Sequence, residues 1–85
     1  MAFNPKLAKY LREKRVEVGL TQPDLAKALK LGSAMSISNF EKGKAPVPDK
    51  HLKRLVKVLK LNPQMVVNLI QEERVRQLKK ILKMR

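Results

Sequence analysis

The sequence predicts an all-α domain of five helices with an extended C-terminal helix. Three observations support this fold class: apolar residues recur at helical spacing, Thr, Ser and Asn stand where helices would begin, and glycine or proline separates the segments. A chain of 85 residues forms one small domain. At this size it buries only ~60–65% of the surface that its unfolded form exposes, so we expect a single modest core.

The first helix is predicted over residues 6–18, with Leu7 and Leu11 on its apolar face and Gly19 as its stop. Arg15 follows Leu11 by four residues and therefore lies on the same face. A charged side chain in an apolar stripe needs a partner, unless its long stem lets it reach solvent.

Two short helices follow. Thr21 is a good N-cap, Asp24 stands at the capping-box position, and Pro23 lies in the first turn, where a missing N–H costs nothing. Ser33 caps the next helix and Gly43 ends it. Their apolar sides are formed by Leu25, Ala26 and Leu29, and by Ile37 and Phe40. Two short helices with one polar face left free indicate a helix-turn-helix.

Residues 44–48 form a loop because they contain two prolines, and Asp49 opens the fourth helix. Asn62 and Pro63 begin the fifth. The predicted apolar stripes are Leu52, Leu55, Val56 and Leu59, then Val66, Leu69 and Ile70. A row of lysines occupies another face of the fourth helix: Lys50, Lys53, Lys57 and Lys60. We expect this row to be a solvated face that raises the overall field.

The C-terminal end is unusual. We predict a domain over residues 1–73 and, within the same domain, a basic amphipathic helical extension over residues 74–85, which has six basic residues and no acid. Leu78, Ile81 and Leu82 form an apolar strip that an isolated helix cannot bury alone. The strip can pack back on its own domain, pair with a second subunit or dock on a different protein. We favour the second outcome, a homodimer.

Composition narrows the function classes. With 20 Lys and Arg against 7 Asp and Glu, the net charge of +13 favours a polyanion, nucleic acid before a membrane surface. No apolar run reaches the ~18–20 residues of a spanning helix, and the N-terminus lacks a signal-peptide core, so we expect a cytoplasmic protein without membrane partners. The chain has no cysteine and one histidine, and it shows no phosphate loop or paired nucleophile and base. We therefore expect no metal, no cofactor and no enzymatic activity.

A set of residues from the first three helices resembles the Cro and phage-repressor (XRE-type) helix-turn-helix DNA-binding family. The matching elements are Arg15, Gly19-Leu20-Thr21-Gln22, Leu25-Ala26 and Ile37-Ser38-x-x-Glu41-x-Gly43. The resemblance runs from about Leu7 to about Ile70. One spacing departs from the family pattern: Glu41 lies 19 positions after Gln22, one more than usual, and the extra residue falls in Lys30-Leu31-Gly32.

The resemblance implies roles for individual residues. Base-edge readers are expected at Ala34, Met35, Ser38 and Asn39, and phosphate contacts at Gln22, Ser33, Lys42 and Lys44. Arg15 and Glu41 are expected to form a structural ion pair, which the inward position of both residues also favours. Asn39 suits bidentate recognition of adenine, and Ala34 and Met35 can contact a thymine methyl, so we expect a half-site rich in A·T pairs. The alternative for Met35 is that it fills the core.

The sequence therefore predicts a binder of specific double-stranded DNA sequences, a transcriptional repressor that acts by operator occupancy with the helix from Ala34 to Asn39 in the major groove. An antitoxin or a coactivator-like adaptor is the alternative. Such a protein would bind a toxin or another regulator through its C-terminal helix as well as DNA. Non-specific binding of DNA or RNA is a third possibility, which the ordered motif disfavours.

Overall fold

A computed structural model describes residues 3–84, which contain five α-helices and no strand. The helices are α1 (Pro5–Glu17), α2 (Gln22–Ala28), α3 (Ala34–Glu41), α4 (Asp49–Leu59) and α5 (Pro63–Ile81). The predicted all-α fold class with a long fifth helix is confirmed. Met1, Ala2 and Arg85 lie outside the described residues, and with them the ends of the two predicted segments.

Four of the five helix starts follow from local capping, whereas α4 begins after Pro48 without a side-chain cap. Ser33 Oγ accepts a hydrogen bond from the Met35 N–H, and Asn62 Oδ1 caps α5 in the same way. At α2, Thr21 and Asp24 form a complete capping box. The hydrogen bond from the Thr21 backbone N–H holds the pKa of Asp24 below its usual value. The stabilisation that this bond gives to the folded state is present at a pH above the ordinary Asp pKa, and it is lost as the pH falls through the lowered pKa.

The helix ends use left-handed residues, but not always glycine. Gly19 and Gly43 have φ values of 79° and 68°, as the sequence predicts for helix stops. At the end of α2 the left-handed residue is Lys30, with φ 58°, rather than Gly32. Lys30 N–H donates to Lys27 O and Leu31 N–H to Ala26 O, which closes a Schellman motif. Lys60 and Lys83 take the same conformation after α4 and α5.

The core is a single apolar cluster to which every helix contributes. Its most buried members are Leu25, Ile37, Leu55 and Leu59, each at most 2% exposed. Burying each such side chain stabilises the fold by about 1.5–3 kcal/mol. Helix α1 is central, since α3, α4 and α5 all pack against it, and α2 packs mainly against α3. This arrangement leaves the outer face of α3 open.

Helix α5 leaves the domain in its second half. Val66 is buried and Glu73 is partly buried, whereas every residue from Arg74 to Met84 is exposed. The described part of the molecule accordingly measures 41 Å along its longest axis against 24 and 21 Å along the others. Leu78 is 41% exposed and Leu82 65%. The alternative that the strip packs back on its own domain is therefore wrong.

Candidate nucleic-acid interface

A partly buried ion pair ties helix α1 to helix α3. Arg15 Nε donates to Glu41 Oε2 at 2.6 Å, and Arg15 Nη2 donates to Glu41 Oε1 at 3.0 Å. The two side chains are only 11% and 3% exposed. Arg15 Nη1 also donates to the backbone oxygen of Leu20, and the hydrogen bond to Glu41 raises the pKa of Arg15. Arg15 is therefore turned inward and does not extend into solvent. It connects three parts of the fold: α1, the turn that precedes α2, and α3.

Gln22 adds a third element to this contact. Its Nε2 donates to Glu41 Oε1 at 3.1 Å, which links the start of α2 to the end of α3. The sequence analysis predicts that Gln22 contacts a DNA phosphate, and it does not predict this hydrogen bond to Glu41. An amide has two N–H donors, so one is still available for a ligand. The motif Gln22…Glu41 was visible in the sequence, but a contact between two helices depends on their crossing, which spacing alone does not give.

The side of helix α3 that faces solvent carries both apolar and polar side chains. Ile37 and Phe40 point into the core at 1% and 8% exposure, whereas Met35 is 63% exposed. The alternative that Met35 fills the core is therefore wrong. Ser38 and Asn39 are partly buried beside it. Within residues 3–84 no hydrogen bond engages the Asn39 side chain, so its amide is free to meet a ligand.

Two lysines are held beside the end of this face. The Lys44 N–H donates to Asn39 O at 2.8 Å, and Lys42 is the C-cap of α3. Between them Gly43 is buried, and its oxygen accepts a hydrogen bond from the Phe3 N–H at 2.7 Å. The backbone around both lysines is therefore fixed, while their side chains are exposed.

The N-termini of α2 and α3 differ as anion sites. The Ser33 hydroxyl, which accepts from Met35, can still donate its own hydrogen, and α3 has no acid in its first turn. Helix α2 has Asp24 in its first turn. Its negative charge makes the start of α2 a weaker anion site than the start of α3.

The connection between α2 and α3 runs through Lys30, Leu31 and Gly32. Leu31 packs against the core, while Lys30 and Gly32 are exposed. Arg54 Nη1, from α4, donates to Ala28 O at 3.3 Å and satisfies the end of α2. Helices α2 and α3 pack against each other across this connection.

In the part of the chain that the structure describes, no three His, Asp or Glu side chains come together as metal ligands. Among the same residues, no helix combines the length and the apolarity that crossing a bilayer requires. The face of α3 with its adjoining lysines is the candidate functional site because Met35, Lys42 and Lys44 are exposed there together.

A comparison with protein families agrees with this geometry. A family model described as a helix-turn-helix domain matches residues 6–69, a range that contains α2, α3 and α4 and ends before the exposed half of α5. No curated protein and no solved structure matches the chain.

Proposed function

Because the chain belongs to the helix-turn-helix family of XRE-type DNA-binding domains, we propose that it is a transcriptional repressor that occupies a specific operator. DNA binding follows from the family; repression and operator occupancy are the proposed steps. The observation that supports them best is the solvent-facing side of α3. It carries the Asn39 amide, and the exposed side chains of Lys42 and Lys44 lie just after the end of the helix. The net charge of +13 supplies attraction to the duplex.

In the proposed complex, α3 enters the major groove and reads bases with its outer face. The base readers are Ala34, Met35, Ser38 and Asn39. Asn39 can bind the N6 and N7 atoms of adenine, and the exposed Met35 side chain can contact a thymine methyl. We therefore propose a half-site rich in A·T pairs, in which DNA shape contributes to recognition because few side chains read base edges.

A second set of side chains holds the phosphates on either side of the groove. These residues are Gln22, Ser33, Lys42 and Lys44. Gln22 retains one amide N–H, Ser33 has its hydroxyl hydrogen, and the lysines supply ammonium groups as point charges. Phosphate contacts of this kind set the register of the protein on DNA and do not read sequence. Polymerase is then excluded by occupancy of the site, without any enzymatic step.

The proposal is tested by selecting duplexes from a random library and footprinting the protein on the selected sequence and on the DNA upstream of its own gene. We expect a short protected stretch that contains the selected sequence. Uniform protection along both duplexes would contradict specific binding and would favour a non-specific basic binder.

Salt should weaken this binding steeply. If about six phosphates are neutralised, the logarithm of the association constant should fall with the logarithm of the salt concentration at a slope of about −5, because bound counterions are released. Titrations of a selected duplex at several salt concentrations give the slope. Binding that does not change between low and physiological salt would contradict phosphate contacts by the lysines.

We also propose that two copies of the chain bind DNA as a homodimer through the apolar strip of Leu78, Ile81 and Leu82. These residues are 41–70% exposed on a helix that has left its own domain. A helix this far from other contacts is marginal alone, and pairing of two strips would bury both. A two-fold dimer would bind inverted half-sites about one helical turn, ~34 Å, apart.

Leu78→Asp/Leu82→Asp should convert the dimer to a monomer, because it places two carboxylates in the proposed interface. Sedimentation of the variant beside wild type measures this change. The control is Lys80→Asp/Lys83→Asp, which adds one acid on the opposite side of α5 and one just beyond its end and should stay dimeric. A wild type that is monomeric both free and on DNA defeats the dimer.

The same exposed strip supports a second candidate function. An antitoxin or coactivator-like adaptor would use it to dock on a toxin or another regulator while the α2–α3 face binds DNA. A neighbouring reading frame that encodes a small toxin would favour the antitoxin, whereas a divergent promoter beside the gene would favour a free-standing repressor. A monomeric wild type also favours a different partner for the strip.

A further inference from the structure

Helix α4 has a second basic surface that lies outside the α2–α3 motif. Its members are Lys50, Lys53 and Lys57, which follow helical spacing and are all exposed. Arg54 lies beside them, but its Nη1 donates to Ala28 O at the end of α2. The lysines lie on the face opposite Leu55 and Leu59, which are 1% and 0% exposed. No Asp or Glu occurs between residues 50 and 60. The face carries charge without an apolar patch, so we call it the α4 basic face.

The α4 basic face is electrostatically unbalanced within the described residues. Five ion pairs form between residues 3 and 84, and their cations are Lys6, Lys9, Lys14, Arg15 and Arg76. None of these cations belongs to α4. Like charges three or four residues apart destabilise a helix, so the α4 basic face lowers the stability of the free protein. An anionic partner would relieve this repulsion.

The α4 basic face and the outer face of α3 each lie on the side of their helix that is turned away from the core. Ile37 and Phe40 of α3 and Leu55 and Leu59 of α4 bury their side chains in the same cluster. Helix α1 packs against both helices. Each outer face is therefore open to solvent, while the opposite side of the helix is buried in the core.

We propose that the α4 basic face binds the phosphate backbone of a second DNA duplex while the α2–α3 face holds the operator. The inference goes beyond the proposed function and rests on it for the first duplex. Lysine ammonium groups suit phosphate as point charges, and contacts to phosphate carry no sequence information. Binding of the second duplex is therefore independent of its sequence, and the protein bridges two DNA segments.

The test uses energy transfer between a donor on a selected operator duplex and an acceptor on a second short duplex of mixed sequence. Lys50→Gln/Lys53→Gln/Lys57→Gln is compared with wild type and with Lys79→Gln/Lys80→Gln/Lys83→Gln, which removes the same charge from α5 and its end. We expect the α4 variant to weaken capture of the second duplex about a hundredfold at physiological salt and to reduce its salt slope by about 3. Operator affinity should match that of the α5 variant.

Several results would overturn the proposal. Equal loss of bridging in both variants would show a general effect of net charge. A selective loss of operator affinity in the α4 variant, without bridging by wild type, would place α4 on the same duplex as α3. Loss of bridging in Leu78→Asp/Leu82→Asp would mean that a dimer bridges through two α3 faces. Failure to prefer the operator over mixed DNA would instead reject the proposed function, and melting curves establish that each variant is folded.

Discussion

Glu41→Ala is expected to lower the free energy of unfolding by about 3 kcal/mol. The Arg15 side chain is only 11% exposed, so removal of the carboxylate leaves a guanidinium largely out of water without its partner. Gln22 loses its acceptor at the same time. For a domain of this size the change corresponds to a fall of roughly 12–24 °C in melting temperature. Thermal and urea denaturation followed by circular dichroism measure both quantities.

Two further variants separate burial of the pair from charge alone. Glu73→Ala removes the partner of Arg76, whose side chain is 63% exposed, and should cost less than about 1 kcal/mol. Arg15→Met/Glu41→Leu replaces the buried pair by apolar side chains and should recover part of the stability lost in Glu41→Ala. A Glu41→Ala protein that melts like wild type would show that the pair does not lock α1 to α3.

The helix starts could be predicted because capping is local. Thr21, Ser33 and Asn62 each satisfy helix N–H groups from within the next three residues, so the chain near each cap carries the whole signal. The helix ends are harder to predict from the sequence. At the end of α2 the left-handed position is usually taken by glycine, but here it is taken by Lys30. Leu31, the next residue, packs against the core and closes the Schellman motif.

The candidate site shows the same division between local and tertiary information. The outer face of α3 follows from helical periodicity alone, and the exposure of Met35 agrees with it. The hydrogen bond from Gln22 to Glu41 does not follow from periodicity, because it depends on how α2 crosses α3. The cations of α4 were visible in the sequence, but only the fold shows that α3 and α4 bury their apolar sides in one core.

Asn39→Ala should weaken binding to a selected operator by about 1–3 kcal/mol and should have little effect on random DNA, because it removes a bidentate base contact. Lys42→Ala and Lys44→Ala are the matched controls on the same helix end. Each should weaken binding to both duplexes alike and reduce the salt slope by about one, as expected for a lost phosphate contact. The three variants keep the buried core residues intact and should melt like wild type.

The most direct measurement of the central claim is the ratio of operator affinity to random-duplex affinity for Asn39→Ala and for wild type at the same salt concentration. If α3 reads bases in the major groove, the ratio falls by about fivefold to more than a hundredfold while the affinity for random DNA is unchanged. An equal loss on both duplexes would contradict the account. Asn39 would then be a backbone contact, and the longer turn at Lys30, Leu31 and Gly32 would have shifted α3 in the groove.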